Sequence, residues 1–349
     1  MRRPRGVRGH SPAERQAPHY SSTRRCMGLS LARTTRVPSD RTTPATRSMG
    51  RLHAIAIMTR PTQIALISVI ALNGILLATW RAPGSLDDGM GAAVTALLLT
   101  IGTAAAVHLA NEAADHETDR LTERTQFSGG SGALEASGLD PRVPLLIGLS
   151  VAAVVAVAVI AVTVTGLLAP VATVLLLLGL AGGLAYSLPP LQVMRRGWGE
   201  PFNALLGSLL LPLFALAAVA GTVALLDVMA FLPFFFVTLA SVMATAWPDR
   251  AADATTGKVT MQVRFAPARL RRVHLLASGA FVLATLVAAA VDAMPLSLAG
   301  LLVLPWLVMG ISRYTRTESP VANVSAMVGL TLITTAALTI SLASRAGAA

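Results

Sequence analysis

Nine apolar stretches, each near the roughly 20 residues a bilayer-spanning helix requires, follow one another along the chain. They are Thr62–Trp80, Gly89–Ala110, Pro144–Thr165, Leu168–Ser187, Phe202–Gly221, Leu226–Trp247, Val273–Val291, Leu296–Ser312 and Val321–Ser344. Polar and turn residues separate them, and the third and fourth are so close that a tight turn must fall between Gly166 and Pro170. Segments that are apolar on every face belong in lipid or in a large core. The pattern therefore predicts an all-α, polytopic membrane protein of nine transmembrane helices. Gly179 and Gly183, four residues apart in the fourth stretch, read as a packing face for a neighbouring helix.

Composition supports this. The chain has 349 residues, 54% apolar and 13% charged, with a mean hydropathy of +0.65. That balance excludes an ordinary soluble domain. The formal charge of +11 suggests nucleic acid at first sight, but residues 1–60 hold 13 Arg against Glu14 and Asp40, and the remainder is neutral. The basicity belongs to a tail, residues 1–50, which lacks apolar periodicity and is expected to be disordered; residues 51–349 form the membrane domain. No nucleic-acid partner is expected. The tail is open to three readings: a genuine extension, an organelle transit peptide, or a translation start placed upstream of Met49 or Met58. Cys26, the only cysteine, excludes an intrachain disulfide and is given no role.

Beyond residue 60, 13 Arg and Lys residues fall in alternate loops on one side, whereas only Arg81 and Arg345 fall on the other. By the positive-inside rule the N-terminus and the charged loops are cytoplasmic, and the expected location is the cell membrane.

Two carboxylate clusters lie on that side. Asn111, Asp115 and Asp119 follow the second stretch, and Asp249 and Asp253 follow the sixth. Spacing of i, i+4, i+8 drifts by only about 40° per step on a helix, so each set shares one face. Magnesium is typically held by one or two carboxylates together with substrate phosphates, and two facing sets would suit a metal-bridged diphosphate. The bland reading is that acids just outside a span are solvated helix ends; Glu112, Glu117 and Glu123 are read that way.

These residues resemble the signatures of the UbiA-type intramembrane prenyltransferase superfamily. The first, N-x-x-x-D-x-x-x-D, is matched by Asn111, Asp115 and Asp119. The second, D-x-x-x-D with a following G-K-x-T, is matched by Asp249, Asp253, Gly257, Lys258 and Thr260. Arg60-Pro61, the Tyr186-Ser-x-Pro-Pro segment and Gly197-x-Gly199-Glu200 also fit, and the similarity runs from Thr59 to the C-terminus. The resemblance implies a helical bundle around a central cavity, and transfer of an isoprenoid chain from a prenyl diphosphate to a lipophilic acceptor. It implies two magnesium ions held by Asn111, Asp115, Asp119, Asp249 and Asp253, with Lys258, Arg60 and Arg264 as basic positions for the diphosphate. Tyr186 would face the allylic cation.

Acceptors across the superfamily include 4-hydroxybenzoate, dihydroxynaphthoate, homogentisate, chlorophyllide, haem and glycerol phosphates. An aromatic quinone precursor is the default, with a preference for the menaquinone type because of the Ser128–Ser131 loop.

Each assignment has a plainer counterpart. Lys258 and Arg264 also suit a positive loop, Arg60 an interfacial anchor, and Tyr186 an interfacial aromatic. His108 reads as a satisfied polar residue at a span end, and His116 points away from the acid face. The sequence also departs from the family pattern. Glycines of Gln126–Gly132 replace an Arg-Pro dipeptide and serve either as an anion nest or as a flexible loop. Thr245 stands where Asn or Asp is common. An ion-coupled transporter is the competing class; it predicts acids in mid-span, whereas here they lie at span ends. A non-catalytic scaffold is the third reading.

Overall fold

The computed structural model describes residues 49–347. The Arg-rich tail lies outside the described residues. Among the described residues the regular elements are all helical: α1 (Arg51–Met58), α2 (Pro61–Arg81), α3 (Ser85–Asp119), α4 (Ala133–Ser137), α5 (Arg142–Val164), α6 (Pro170–Ser187), α7 (Gly199–Leu205), α8 (Leu211–Ala220), α9 (Leu225–Thr245), α10 (Arg250–Thr255), α11 (Met261–Arg264), α12 (Pro267–Ala290), α13 (Leu304–Arg313) and α14 (Val321–Ala346). A π-helical turn, Leu206–Leu210, joins α7 to α8 into one span.

Eight segments among the described residues are long and apolar enough to cross a membrane. The eighth apolar stretch, Leu296–Ser312, is helical over about its expected length but shorter than the eight spans. It begins as a 3-10 turn, Ser297–Val303, and continues as α13, giving 17 helical residues in all. Leu296 before it adopts a left-handed conformation, and Pro305 sits in the first turn of α13, where its missing N–H costs nothing.

The chain is a multi-pass membrane protein, and its side chains sort accordingly. Val157 and Leu276 are about two-thirds exposed or more, at 68% and 71%, with many other Val and Leu on outward faces. Such a surface suits lipid. The inward faces form two apolar clusters. One joins α2, α3, α5, α6 and α8 around Phe214 and Leu176. The other joins α2, α8, α9, α12 and α14 around Phe231, Phe234 and Phe281.

Small residues set the closest crossings. A Cβ on Gly74 of α2 would collide with the Pro212 carbonyl oxygen of α8, so only glycine permits that approach. A Cβ on Gly183 would press on Val107 of α3, whereas one on Gly179 would meet only the Leu210 side chain at ordinary contact distance; both line the cavity. Gly183 thus permits a close helix approach, which Gly179 does not need. The turn between the third and fourth spans falls where expected, with Gly166 at positive φ and Pro170 opening α6.

At one end of the bundle Arg81 pairs with Asp227 and donates to the Ala293 carbonyl at 2.9 Å. This ties α2 to α9 and to the turn before α13. The acid clusters lie at the other end.

Candidate active site

Helix α3 is 35 residues long, about 52 Å at 1.5 Å per residue, so it runs past its apolar portion and carries the first cluster on its final turns. Asn111 donates to Asp115 Oδ2 at 2.9 Å and to Ser187 Oγ at 3.1 Å, which ties α3 to the end of α6. The second cluster sits on α10. Asp253 N–H donates to the Asp249 carbonyl at 2.8 Å, which closes the turn that puts both carboxylates on one side. Arg250, between them, turns away: it stacks 3.9 Å from the Trp247 ring and pairs with Glu318.

Lys258 joins the clusters. Its Nζ lies 2.9 Å from Asp115 Oδ1 and 3.6 Å from Asp253 Oδ1. Thr118 Oγ1 and Thr256 Oγ1, 3.1 Å apart, lock the same helices beside it. Lys258 is therefore a buried bridge rather than a solvated loop charge. Its backbone is fixed by a 2.8 Å bond from its N–H to the Asp253 carbonyl.

The electrostatics follow from too many carboxylates in too little water. Burial, reinforced by the neighbouring charge of Asp253, pushes the Asp249 carboxyl up to about 7. Burial also raises Asp253 above the ordinary carboxylate range, against the pull of Lys258. For Lys258 burial opposes the charge, yet Asp115 and Asp253 hold the ammonium above its usual range. Asp249 Oδ1 is buried without a hydrogen-bond partner, and Asp253 Oδ1 has only the longer contact to Lys258. Orphaned carboxylate oxygens of this kind demand a cation. Among the described residues no three acidic, His or Cys side chains stand close enough to hold an ion unaided. The donor set therefore fits magnesium only in the form in which phosphate oxygens supply further ligands.

The remaining expected residues divide. Asp119 lies one turn beyond Asp115, half-buried under the Gly129–Gly132 loop. Gly130 has φ +63°, and a Cβ there would collide with Asp119 Oδ2. The glycines thus let the backbone pass over this carboxylate. Tyr186, in the last turn of α6, lines the cavity below the cluster. Arg60, in a left-handed conformation between α1 and α2, also lines it and pairs with Glu112 at 3.3 Å. Arg264 stands apart. It lies beside the Gly197 turn and makes no ion pair among the described residues. It sits at the exposed end of α11.

The sequence does not single out two buried acids. Glu112, expected to be solvated, is 3% exposed; it accepts from Arg60 and from Ser131, through both its N–H and its Oγ. It follows Asn111 by one residue, so it faces about 100° away around the helix, into α1 and the glycine loop instead of water. Glu200 is also buried and accepts from Met261 N–H at 3.1 Å. Its position after Gly197-x-Gly199 is the only signal. Glu117 and Glu123 are exposed as expected.

Below the clusters opens a cavity of about 340 Å³, within the range of roughly 300–1,000 Å³ typical of ligand pockets. Arg60, Asn111 and Tyr186 mark its polar mouth, and Leu176, Phe214 and Met327 its apolar depth.

Residues 66–333 match the family described as the UbiA prenyltransferase family. Solved structures share the fold. A UbiA homologue from Archaeoglobus fulgidus bound to DMAPP and Mg2+ is 18% identical with a TM-score of 0.61, covering 83% of this chain and 99% of that one. A UbiA homologue from the same organism bound to GPP and Mg2+ gives 17% and 0.60, with the same coverage. A digeranylgeranylglyceryl phosphate synthase is 12% identical with a TM-score of 0.56, covering 84% of this chain and 98% of that one. No curated protein sequence matches the chain.

Proposed function

The chain belongs to the UbiA prenyltransferase family, and from that premise we propose that it transfers an isoprenoid chain from a prenyl diphosphate to an aromatic quinone precursor, of which a dihydroxynaphthoate-type acceptor is preferred. The carrying observation is that Lys258 joins Asp115 to Asp253 at the mouth of an apolar cavity. A diphosphate with its counter-cations belongs among these charges, and its hydrocarbon tail belongs below.

Asn111, Asp115, Asp119, Asp249 and Asp253 would hold magnesium, one ion for each cluster. When bound, the metal supplies Lewis-acid neutralisation of the leaving diphosphate. Lys258 exchanges its carboxylate contacts for phosphate oxygens and acts as a point charge. Arg60 contributes a second cation at the mouth, and Arg264 stays a candidate basic contact for the diphosphate. The Tyr186 ring face stabilises the allylic cation. The apolar walls exclude water, so the acceptor captures the cation before hydrolysis does. The loop charges favour a cytoplasmic orientation for this end.

The test is a membrane assay with magnesium, a radiolabelled prenyl diphosphate and a panel of aromatic acceptors. Asp115→Ala and Asp249→Ala are each expected to lower transfer at least a hundredfold while remaining membrane-inserted. Full turnover in either variant defeats the metal assignment. Wild-type transfer confined to non-aromatic acceptors defeats the acceptor class.

A further inference from the structure

The roles above leave one titratable side chain of the cavity, His108, unused. His108 lies on α3 three residues before Asn111, about 4.5 Å deeper along the helix, and lines the cavity together with Asn111 and Tyr186. Its Nδ1 is 2.7 Å from the Thr59 carbonyl oxygen. A carbonyl can only accept, so Nδ1 carries the hydrogen and the lone pair lies on Nε2. No side chain or backbone group among the described residues bonds Nε2.

The anchor itself is fixed. Thr59 closes α1 through its own N–H to the Ile55 carbonyl at 3.2 Å, and Arg60 then reverses the chain in a left-handed conformation, φ 55°. A β-carbon in that region is unfavourable. The Thr59–Arg60 turn is therefore held by its surroundings, and its effect is to set the imidazole in one tautomer. Polar groups whose orientation is so determined, with a free lone pair in a mostly apolar cavity, suit proton transfer.

We infer that His108 is the base of the transfer reaction, taking the proton of the acceptor's hydroxyl; this rests on the aromatic-acceptor reading above. The C–O bond of the prenyl diphosphate breaks, and its electron pair leaves on the diphosphate. The ring carbon ortho to the hydroxyl bonds the allylic carbon. The O–H pair becomes the carbonyl π bond of a neutral dienone, and the proton passes to Nε2. The imidazolium returns that proton to the carbonyl oxygen as the displaced ring hydrogen is lost to water, so one proton and one diphosphate are released per turnover. The position of His108 suits this order: Asn111 and Asp115 stand above it at the diphosphate end, and the apolar cavity lies below.

A merely structural His108 would hold the α1–α2 junction through Thr59 alone, and the variants separate the two roles. The amide introduced by His108→Asn can still donate to the Thr59 carbonyl but offers no basic nitrogen in place of Nε2. The full-length protein in lipid nanodiscs, assayed with magnesium, geranyl diphosphate and dihydroxynaphthoate-type acceptors, is expected to show wild-type thermal stability for H108N. Its kcat should fall by about 10²–10⁴-fold, and its KM for the diphosphate should stay within about threefold, because KM here reports a site His108 does not touch. In H108A, added imidazole should recover at least about tenfold of the lost rate, since imidazole replaces the missing base. Retention of more than about a tenth of wild-type kcat in H108N, or a loss in H108A that imidazole leaves untouched, overturns the inference. Failure of the wild-type protein to prenylate any aromatic acceptor instead overturns the functional reading, and is seen before any variant is made.

Discussion

Lys258 is 13% exposed at its side chain and touches both acid clusters. Removing one partner of such a buried pair typically costs about 3–5 kcal/mol, because the remaining charge stays buried alone. Lys258→Met is therefore expected to lower the melting temperature in chelator sharply and to recover part of the loss in magnesium, which a thermal-shift series in detergent reads directly. The acids also set a pH dependence. Asp249 titrates at about 7 when folded, from an ordinary value of 3.8. Between those values the folded state binds the extra proton, so stability is greatest at the acid end and falls as pH rises through 7. In chelator the melting temperature should drop between about pH 4 and 7 and level off above. Asp249→Asn should flatten that slope; an unchanged slope would assign it elsewhere. At Gly130 the geometry leaves no room: Gly130→Ala must displace the loop or Asp119 and is expected to reduce turnover at least tenfold without preventing membrane insertion.

Among the elements, α3 organises the site. It packs on α2, α5, α6 and α8 and delivers Asn111, Asp115 and Asp119 on one face, which their spacing alone foretold. What the spacing did not reveal was Glu112, because a solvated helix end and a buried one have the same local sequence. The loop that covers it comes from residues 129–132 and is positioned by contacts with Arg124 and Asp119. The eighth apolar stretch likewise has the composition of a span, but it enters through a left-handed residue and a 3-10 turn and stays shorter than the other eight. At the other end, the Arg81–Asp227 pair is a structural tie remote from the acids. Arg81→Ala strands a buried carboxylate, a loss of about 3 kcal/mol. Lower unfolding midpoints with a preserved room-temperature turnover are expected, and a variant that loses activity before stability would argue for coupling between the two ends.

For the whole molecule, apolar faces toward lipid and two inner clusters leave room for a cavity bounded by α2, α3, α6, α8, α9 and α14. Its mouth lies at the charged end, so a substrate with a polar head and a hydrocarbon tail has only one sensible orientation. The family match begins at residue 66, and no proposed site residue precedes Arg60. Deletion of residues 1–48 is accordingly expected to leave membrane insertion and turnover within about twofold of the full chain; a larger loss in a matched membrane preparation would give the tail a role.

Hydropathy settled the helices and their approximate ends, because a backbone in lipid must satisfy its own hydrogen bonds whatever its neighbours do. Local periodicity likewise settled which carboxylates share a face, since i, i+4 geometry depends on the helix alone. Only the tertiary structure decided that Lys258 lies between the clusters, that Glu112 and Glu200 are buried, and that His108 keeps a lone pair toward the cavity. The His108 and Lys258 outcomes depend on contacts between residues 49 and 143 positions apart in the chain, and burial and charge environment are properties of such contacts, not of the local sequence.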